Sequence, residues 1–405
     1  MPVGAIVFSL GFRPFFLAAA GYGALAMGTW AGWLAEWWPL AEVYPPGQLH
    51  AHEMLIGFAL AAIAGFLLTA SPQWTASRPL SGRPLALLAG AWLLGRLAMG
   101  TAPIIGAPSA MLADLLFPFG LCLVVARTLL RARNRRNYVF IVLLGLLAAA
   151  NLCWHLEMLG ATAKVAAFAQ VDLAGTAQVL MLDLLLMFIA VVGGRVVPLF
   201  TANWLRQLGS PVTLRQPAWL HRLALGGLGL VALGDLAAPW LGGGAGPAAV
   251  GLLALAAGLA HLLRLSGWHG AMALRHPLVW IMHLAYLWLC LALLLKGGHY
   301  LSDAIPAAAA LHAAGIGAIG TMIMAIMPRV SLGHTGRPLL LPRPMLVGYG
   351  LFTLAALSRV AGPFLPAAWY EASLLLSGVG VSLTLLIFLA VFGAMLLRPR
   401  ADAQG

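Results

Sequence analysis

The sequence predicts an all-α integral membrane protein with 12 transmembrane helices, arranged as three four-helix repeats. The 405-residue chain is 62% hydrophobic and only 8% charged, so a soluble fold could not cover its apolar surface. Apolar runs of about 20 residues recur along the whole length, and such a run crosses the ~30 Å hydrocarbon core of a bilayer as a helix. A short motif also returns at corresponding spans. The predicted spans are residues 15–37, 52–72, 84–101, 108–130, 138–158, 174–198, 219–239, 246–264, 277–296, 306–327, 344–363 and 372–396.

The positive charges predict the orientation of these spans. With 12 spans, all but four of the 23 lysines and arginines fall on the side of the two chain termini. Because such residues concentrate on the cytoplasmic side of membrane proteins, we expect both termini in the cytoplasm. The net charge of +12 then follows from topology and favours contact with the lipid bilayer; no nucleic-acid partner is expected. The four exceptions are Arg96, Lys164, Lys296 and Arg359.

A proline motif marks the predicted repeats. The sequences SPQWT (71–75), VPLFT (197–201) and MPRVS (327–331) close the second, sixth and tenth spans. Their prolines, at 72, 198 and 328, are separated by 126 and 130 residues, and we expect the helix to end at each of them. The sequence thus predicts one transmembrane domain over residues 1–405, with repeats near 1–133, 134–272 and 273–405.

Two histidines lie at similar depth on matching helices of repeats one and three. His52 precedes Pro72 by 20 residues and His312 precedes Pro328 by 16, so their depths differ by only ~6 Å at the rise of an α-helix. Imidazoles placed in this way can bind one haem iron, and we expect a haem or metal between them. At each position a buried histidine bonded to a backbone carbonyl is the alternative. His283 lies nearer the inner side, too far in depth from His312 to share that iron, and is assigned to another metal site or to packing.

His50 and Glu53 flank His52 at the outer end of the second span. On a regular helix His50 and His52 project from opposite faces, so His50 approaches the same site only from an extended segment before the helix. We expect it to bind copper or to support the neighbouring site, since imidazole suits copper, zinc and haem iron alike. Glu53 is predicted to orient a histidine or to relay protons; a carboxylate favoured by the helix dipole is the simpler alternative. His155 and Glu157 form a similar, weaker cluster in the fifth span.

Three further residues are charged groups inside spans, where an unpaired charge is costly. Arg96 and Arg359, in the outer halves of spans three and eleven, are predicted to bind haem propionates. Pairing with Asp114 or Glu157, or extension of the side chain to the interface, is the alternative. Asp183 lies eight or nine residues into the sixth span, where we expect it to handle a proton or to bind a metal.

Long segments of the chain resemble one protein family. They are FSLGFRPFF (8–16), LHAHEMLIGFALAAIAGFLLTASPQWT (49–75), GGRVVPLFTANW (193–204) and HAAGIGAIGTMIMAIMPRVSLGHTGRPL (312–339). These segments look like the NnrS family, bacterial inner-membrane proteins that contain haem and copper and are linked to nitric oxide and nitrosative stress. The resemblance covers nearly the whole chain, and its His-x-His-Glu-Met and Arg-Val-Ser-Leu-Gly-His-Thr-Gly-Arg-Pro segments are its most specific parts.

The resemblance implies haem b and copper as cofactors, nitric oxide or a related small molecule as ligand, a membrane electron donor, and a location in the bacterial inner membrane. It also raises His334, in the inner loop after the tenth span, among the candidate metal ligands. His155 and His299 lie outside the motifs that match. The positions that the resemblance indicates are His50, His52, Glu53, Arg195, His283, His312, His334 and Arg337.

The predicted architecture is also similar to the catalytic subunit of haem–copper oxidases and nitric oxide reductases, where helices two and ten hold a low-spin haem. Here no histidine lies within span six, and His221 reaches only the inner edge of span seven. The dinuclear centre of those enzymes is therefore not expected. We expect a haem and copper protein that handles nitric oxide or nitrosylated iron, as a redox enzyme or a denitrosylating factor. A transporter or metal chaperone, or a membrane sensor of nitric oxide or copper, is the alternative.

Overall fold

The computed structural model describes residues 3–39, 43–162, 171–210, 214, 217–241 and 245–403. These residues form helices joined by short connections, and no strand occurs among them. The prediction of an all-α protein is thus confirmed for this part of the chain. Lys164 and Arg215, two members of the charge pattern, lie outside the described residues.

The long helices form because a helix pairs the backbone amides of an apolar run within the run itself, as hydrocarbon requires. Several begin with proline in the first turn, where its fixed φ suits a helix and no amide hydrogen is needed; examples are Pro46, Pro84 and Pro277. Within the described residues the long helices are α1 (Phe12–Leu34), α2 (Pro46–Thr75), α3 (Arg83–Gly100), α4 (Ala107–Arg131), α5 (Val139–Met158), α6 (Leu173–Gln207), α7 (Ala218–Leu241), α8 (Ala245–Ser266), α9 (Pro277–Leu301), α10 (Ala307–His334), α11 (Arg343–Ala361) and α12 (Ala367–Leu397).

Ten helices of the described chain are long and apolar enough to cross a membrane. A helix lies at each of the predicted spans, but α1 and α3 are not among these ten. The structure therefore fits a multi-pass membrane protein, whereas the count of 12 crossings and the cytoplasmic position of both termini stay predictions.

Two helices change from α to π geometry directly after a histidine. In α2 the residues Glu53–Ala59 are π-helical and follow His52; in α10 the residues Ala313–Gly320 are π-helical and follow His312. A π-helical turn shifts the backbone bonding by one residue and is common at functional sites. The two histidines singled out by sequence thus share the same local backbone setting.

The expectation that a proline ends each of three helices is wrong. Pro72, Pro198 and Pro328 lie inside helices that continue to Thr75, Gln207 and His334. A proline removes one helical hydrogen bond, but the backbone group that it frees can be satisfied by side chains or by a local change of helix geometry inside a membrane. The motif therefore does not mark helix ends.

The chain forms two compact units. The first comprises Met1–Met181, Met327–Leu339 and Leu385–Gly405, and in it α1 packs on α2, α3 on α4, and α4 on α5. The second comprises Leu182–Ile326 and Leu340–Thr384, and in it α7 packs on α8, α8 on α9, and α9 on the π-helical part of α10. These units do not follow the boundaries of the predicted repeats, so the threefold repeat stays a prediction.

Candidate metal centre

Five helices of the first unit bring a group of polar side chains together. Their residues are buried or half-buried, although most of the surrounding sequence is apolar. The group contains two carboxylates, one guanidinium and two imidazoles. Its members are Tyr22 on α1, His52 and Glu53 on α2, Arg96 on α3, Asp114 on α4, and Asn151, Trp154 and His155 on α5.

Three of these residues present ligand atoms to a common point. His52 Nε2 lies 3.3 Å from Asp114 Oδ2, and His155 Nε2 lies 2.9 Å from the same oxygen. The three atoms are within 4.8 Å of one another, and all three residues are buried. Two atoms that bind one ion at about 2.1 Å each lie at most ~4.2 Å apart, a limit that both contacts of Asp114 satisfy. The donor set of two imidazoles and one carboxylate suits a transition-metal ion.

Helix α5 supplies much of the site from one face. Asn151, Trp154 and His155 are spaced by three and four residues, so their side chains lie on the same face of the helix. The Trp154 ring stacks on the His52 ring, with 4.3 Å between centroids. The indole Nε1 of Trp154 donates to Gln48 Oε1 at 3.1 Å. This packing holds His52 in one orientation.

A second layer of groups holds these candidate ligand side chains in place. Arg96 donates one nitrogen to Glu53 and the other to Asp114, and Tyr22 donates its hydroxyl to Glu53. Glu53 Oε1 lies 2.8 Å from His52 Nδ1. A carboxylate in this position commonly orients a histidine that binds a metal. Arg96 is therefore engaged by protein carboxylates, including Asp114, which the sequence left open as its partner.

The contacts of His52 favour a cation at its Nε2. A neutral imidazole carries one hydrogen, and Glu53 accepts at Nδ1. The Nε2 atom then faces two oxygens, Asn151 Oδ1 at 2.8 Å and Asp114 Oδ2 at 3.3 Å. Because the Asn151 amide donates to Asp114 Oδ2 at 2.7 Å, its oxygen must be the atom on the His52 side. A lone pair on Nε2 opposite two oxygens is stabilised by a positive ion between them.

The charge balance points the same way. Glu53 and Asp114 together carry two negative charges, and Arg96 carries one positive charge. All three side chains are at most 8% exposed, and an uncompensated buried charge is costly. A bound cation would offset the excess.

Gly57, in the π-helical turn of α2, leaves room for this arrangement. A Cβ at position 57 would lie 2.6 Å from Tyr22 Cε1, 3.0 Å from Glu53 Oε2 and 3.1 Å from Arg96 Nη1. The carbonyl of Gly57 also accepts from Trp92 Nε1 at 2.9 Å. The turn is thus fitted to the polar network.

Replacing Gly57 with alanine should lower stability by roughly 1–3 kcal/mol, the usual range for overpacking, because the new methyl group displaces Tyr22 or Arg96. Alanine normally stabilises a helix relative to glycine, so a loss of stability in this variant would report the close contacts and not helix propensity. Gly90 on α3, where a Cβ would meet nothing within 4 Å, is the matched control. Thermal unfolding of both purified variants checks this; equal melting temperatures would contradict the close fit at Gly57.

The other predicted histidine ligands lie elsewhere in their units. In the first unit, the His50 ring stacks on Trp30 with 4.4 Å between centroids, and His334 lies 5.6 Å from the Phe12 ring. In the second unit, His283 Nε2 lies 2.9 Å from the Thr201 hydroxyl. His312 Nδ1 donates to the carbonyl of Ala308 at 2.8 Å, a bond that commonly directs the opposite nitrogen toward a metal. The shared iron between His52 and His312 stays a prediction.

The two remaining charged candidates lie in the second unit. The guanidinium carbon of Arg359 lies 5.9 Å from the centre of the Tyr370 ring, and its role with haem propionates stays a prediction. Asp183 Oδ1 accepts from Lys296 Nζ at 2.6 Å. Asp183 is thus part of an ionic cluster of its own.

Sequence reasoning ranked His155 too low and did not assign Asn151, Trp154 or Tyr22 to the site. The signal that could have found them is the polar and aromatic stripe at 151, 154 and 155 in an otherwise apolar helix. Asp114 was considered only as a partner of Arg96. Which helix faces meet is a tertiary property, so the cluster itself required the structure.

The fold and site define a multi-pass membrane protein with a buried cluster of histidine and carboxylate side chains that could hold a metal ion. Residues 6–400 match the NnrS protein family, and the chain therefore belongs to that family. The resemblance drawn from sequence is confirmed. A comparison with curated proteins gives no match.

Proposed function

We propose that this protein acts in the nitric oxide response of the bacterial inner membrane, through a metal ion bound by His52, Asp114 and His155. Membership of the NnrS family supports the link to nitric oxide. The observation that carries the proposal is the convergence of two imidazole nitrogens and one carboxylate oxygen, all buried, within 4.8 Å of one another.

Copper is the metal that we favour. Imidazole binds copper and iron well, and copper binds more tightly than the other divalent ions of the first row. The family resemblance also implies copper. A copper or iron ion held by His52, Asp114 and His155 would supply a binding site for a small molecule such as nitric oxide.

The surrounding residues prepare this site. Glu53 fixes the His52 ring through Nδ1, which leaves Nε2 to face the metal. Asn151 donates to Oδ2 of the Asp114 carboxylate, and Arg96 donates to its Oδ1. Trp154 covers one face of the His52 ring. Such supporting bonds typically change metal affinity by 10–100-fold, so the assembly is suited to holding an ion inside a membrane protein.

We propose that a haem is not the partner of His52. Its Nε2 faces Asn151 and Asp114 oxygens at 2.8 and 3.3 Å, and its ring is stacked on Trp154. A porphyrin plane would have to occupy that space. Arg96 faces Glu53 and Asp114, and both of these carboxylates belong to the protein. We propose His312 as a candidate haem ligand on the ground of the family resemblance, because it opens one of the matching segments (312–339).

Loss of His155 should abolish the protection that the protein gives against nitric oxide. Cells that lack their own copy and express the His155→Ala variant should recover from nitric oxide as slowly as cells with no protein, because one of three ligands is gone. His299, which donates to the carbonyl of Ile305 in the second unit, serves as the control, and His299→Ala should protect fully.

Growth recovery and the rate of nitric oxide loss from membranes are measured at matched protein levels, with a reductant to replace the membrane electron donor. Full protection by His155→Ala would contradict the proposed role of this site. If membranes with wild type or either variant all lose nitric oxide slowly while the wild type still protects cells, that result would favour sensing over turnover.

A transporter is the second candidate function. The buried ionic cluster of the second unit favours it, since ionisable residues inside membrane domains often lie on ion or proton paths. Uptake of a metal or small molecule into vesicles that persists in His155→Ala would support transport.

A further inference from the structure

A second buried ionic cluster lies in the second unit, on three helices. Lys296 on α9 donates to Asp183 Oδ1 on α6 at 2.6 Å and to Asp235 Oδ2 on α7 at 2.5 Å. Tyr300, one turn beyond Lys296, donates its hydroxyl to Asp235 Oδ1. The side chains of Asp183, Asp235 and Lys296 are 0%, 2% and 10% exposed.

The formal charges of this cluster do not cancel. Two carboxylates face one ammonium group, because Lys296 Nζ contacts both Asp183 and Asp235. Helix α8 packs against α9 at Gly251, which lies next to Gly297 and Tyr300. The only lysine or arginine of α8 is Arg264, 13 residues farther along the helix. An excess negative charge buried in apolar surroundings is costly, so the cluster needs one further positive charge.

The nearest other titratable residues along α9 do not supply that charge. His299, adjacent to Tyr300, donates through Nδ1 to the carbonyl of Ile305. Asp303, beyond the end of α9, would add another negative charge. Neither of these residues supplies the missing positive charge, and a proton from solution can supply it.

The two carboxylates are not equivalent. Asp235 accepts a hydrogen bond on each oxygen, from Lys296 and from Tyr300. Asp183 accepts one on Oδ1, and its buried Oδ2 has no hydrogen-bond partner among the described residues. A carboxylate anion is stabilised by each bond that it accepts. Asp235 is thus the better stabilised anion, and Asp183 Oδ2 is the atom left to take a positive charge.

We propose that Asp183 binds an exchangeable proton on Oδ2, and that Lys296, Asp235 and Tyr300 form with it a proton-transfer site of the second unit. A metal cation needs several oxygen ligands, whereas a single oxygen of Asp183 is left without a partner here. A proton needs only that one atom. The site would take up and release one proton when the charge of its surroundings changes. This proton transfer could accompany either of the two candidate functions.

Infrared difference spectroscopy of the purified protein tests this inference. A protonated carboxylic acid shows a carbonyl stretching band that a carboxylate lacks, and this band moves when the proton exchanges for deuterium. Wild type should show such a band near neutral pH, with a shift in heavy water, and the band should disappear completely in Asp183→Asn.

Two further variants make the result decisive. In Asp235→Asn the remaining Asp183 and Lys296 form a balanced ion pair, so the band should also disappear. In Asp172→Asn the band should persist, because Asp172 is an exposed carboxylate next to the start of the same helix, where it accepts from the Gly175 amide. If Asp183→Asn does not fold, the wild type and Asp235→Asn still decide the question.

Four results would overturn the inference. They are a band that is unchanged in Asp183→Asn, a band that is retained in Asp235→Asn, the absence of any such band in wild type, and a band that does not move in heavy water. The readout uses neither the metal nor nitric oxide, so its failure is independent of the function proposed for the first unit.

Discussion

Replacing Arg96 with methionine should destabilise the protein by about 3–5 kcal/mol, the range for removing one partner of a buried ion pair. Arg96 bridges Glu53 and Asp114 and is itself 5% exposed. Without it, two carboxylates face each other through the site with no fixed counter-charge. Methionine keeps much of the side-chain volume, so the effect reports charge and bonding more than packing.

The measurement is thermal unfolding of the purified protein, followed by the loss of monodisperse protein after heating. Lysine at position 96 should restore only part of the stability, because an ammonium group cannot span both carboxylates as the planar guanidinium does. Arg400, which pairs with Asp402 at an exposed position, is the control. If Arg96→Met and Arg400→Gln melt at the same temperature, the bridge does not stabilise the first unit.

Replacing His155 with alanine should lower metal affinity at least 100-fold, more than the 10–100-fold typical of a supporting residue. Removal of this imidazole leaves His52 and Asp114, a donor pair that cannot enclose an ion. The methyl group also leaves a cavity beside Trp154, so stability should fall modestly as well.

Metal content and affinity are measured on purified protein by elemental analysis and by competition with a chelator of known affinity. His50→Ala is the sharpest control, because His50 lies two residues before His52 but stacks on Trp30. We expect that variant to keep its metal. Metal loss from His50→Ala, with retention in His155→Ala, would place the copper on His50, as the sequence first indicated.

The sequence predicted the helices well because the length of an apolar run is a local property. Each predicted span coincides with a helix of the structure, although only ten of these helices meet the length and hydropathy expected for a membrane crossing. The family was also accessible, because its motifs are continuous stretches of chain. Hydropathy carries no information on backbone bonding, so the π-helical turns after His52 and His312 could not be foreseen.

The candidate site was only partly predictable. Sequence reasoning identified His52, Glu53 and Arg96, since ionisable residues in apolar runs stand out. It did not place His155 and Asp114 together, because their contact depends on how α4 and α5 turn their faces toward α2. Trp154 is uncharged and does not stand out in an apolar run, so its stacking on His52 became visible only in three dimensions.

X-ray absorption spectroscopy of the metal that co-purifies with the wild-type protein tests the central claim most directly. The account predicts a first coordination shell of nitrogen and oxygen atoms that includes two imidazole rings, with this signal lost in Asp114→Asn and in His155→Ala. A shell without imidazole, or a protein whose only metal is porphyrin-bound iron, would contradict the proposed centre of His52, Asp114 and His155.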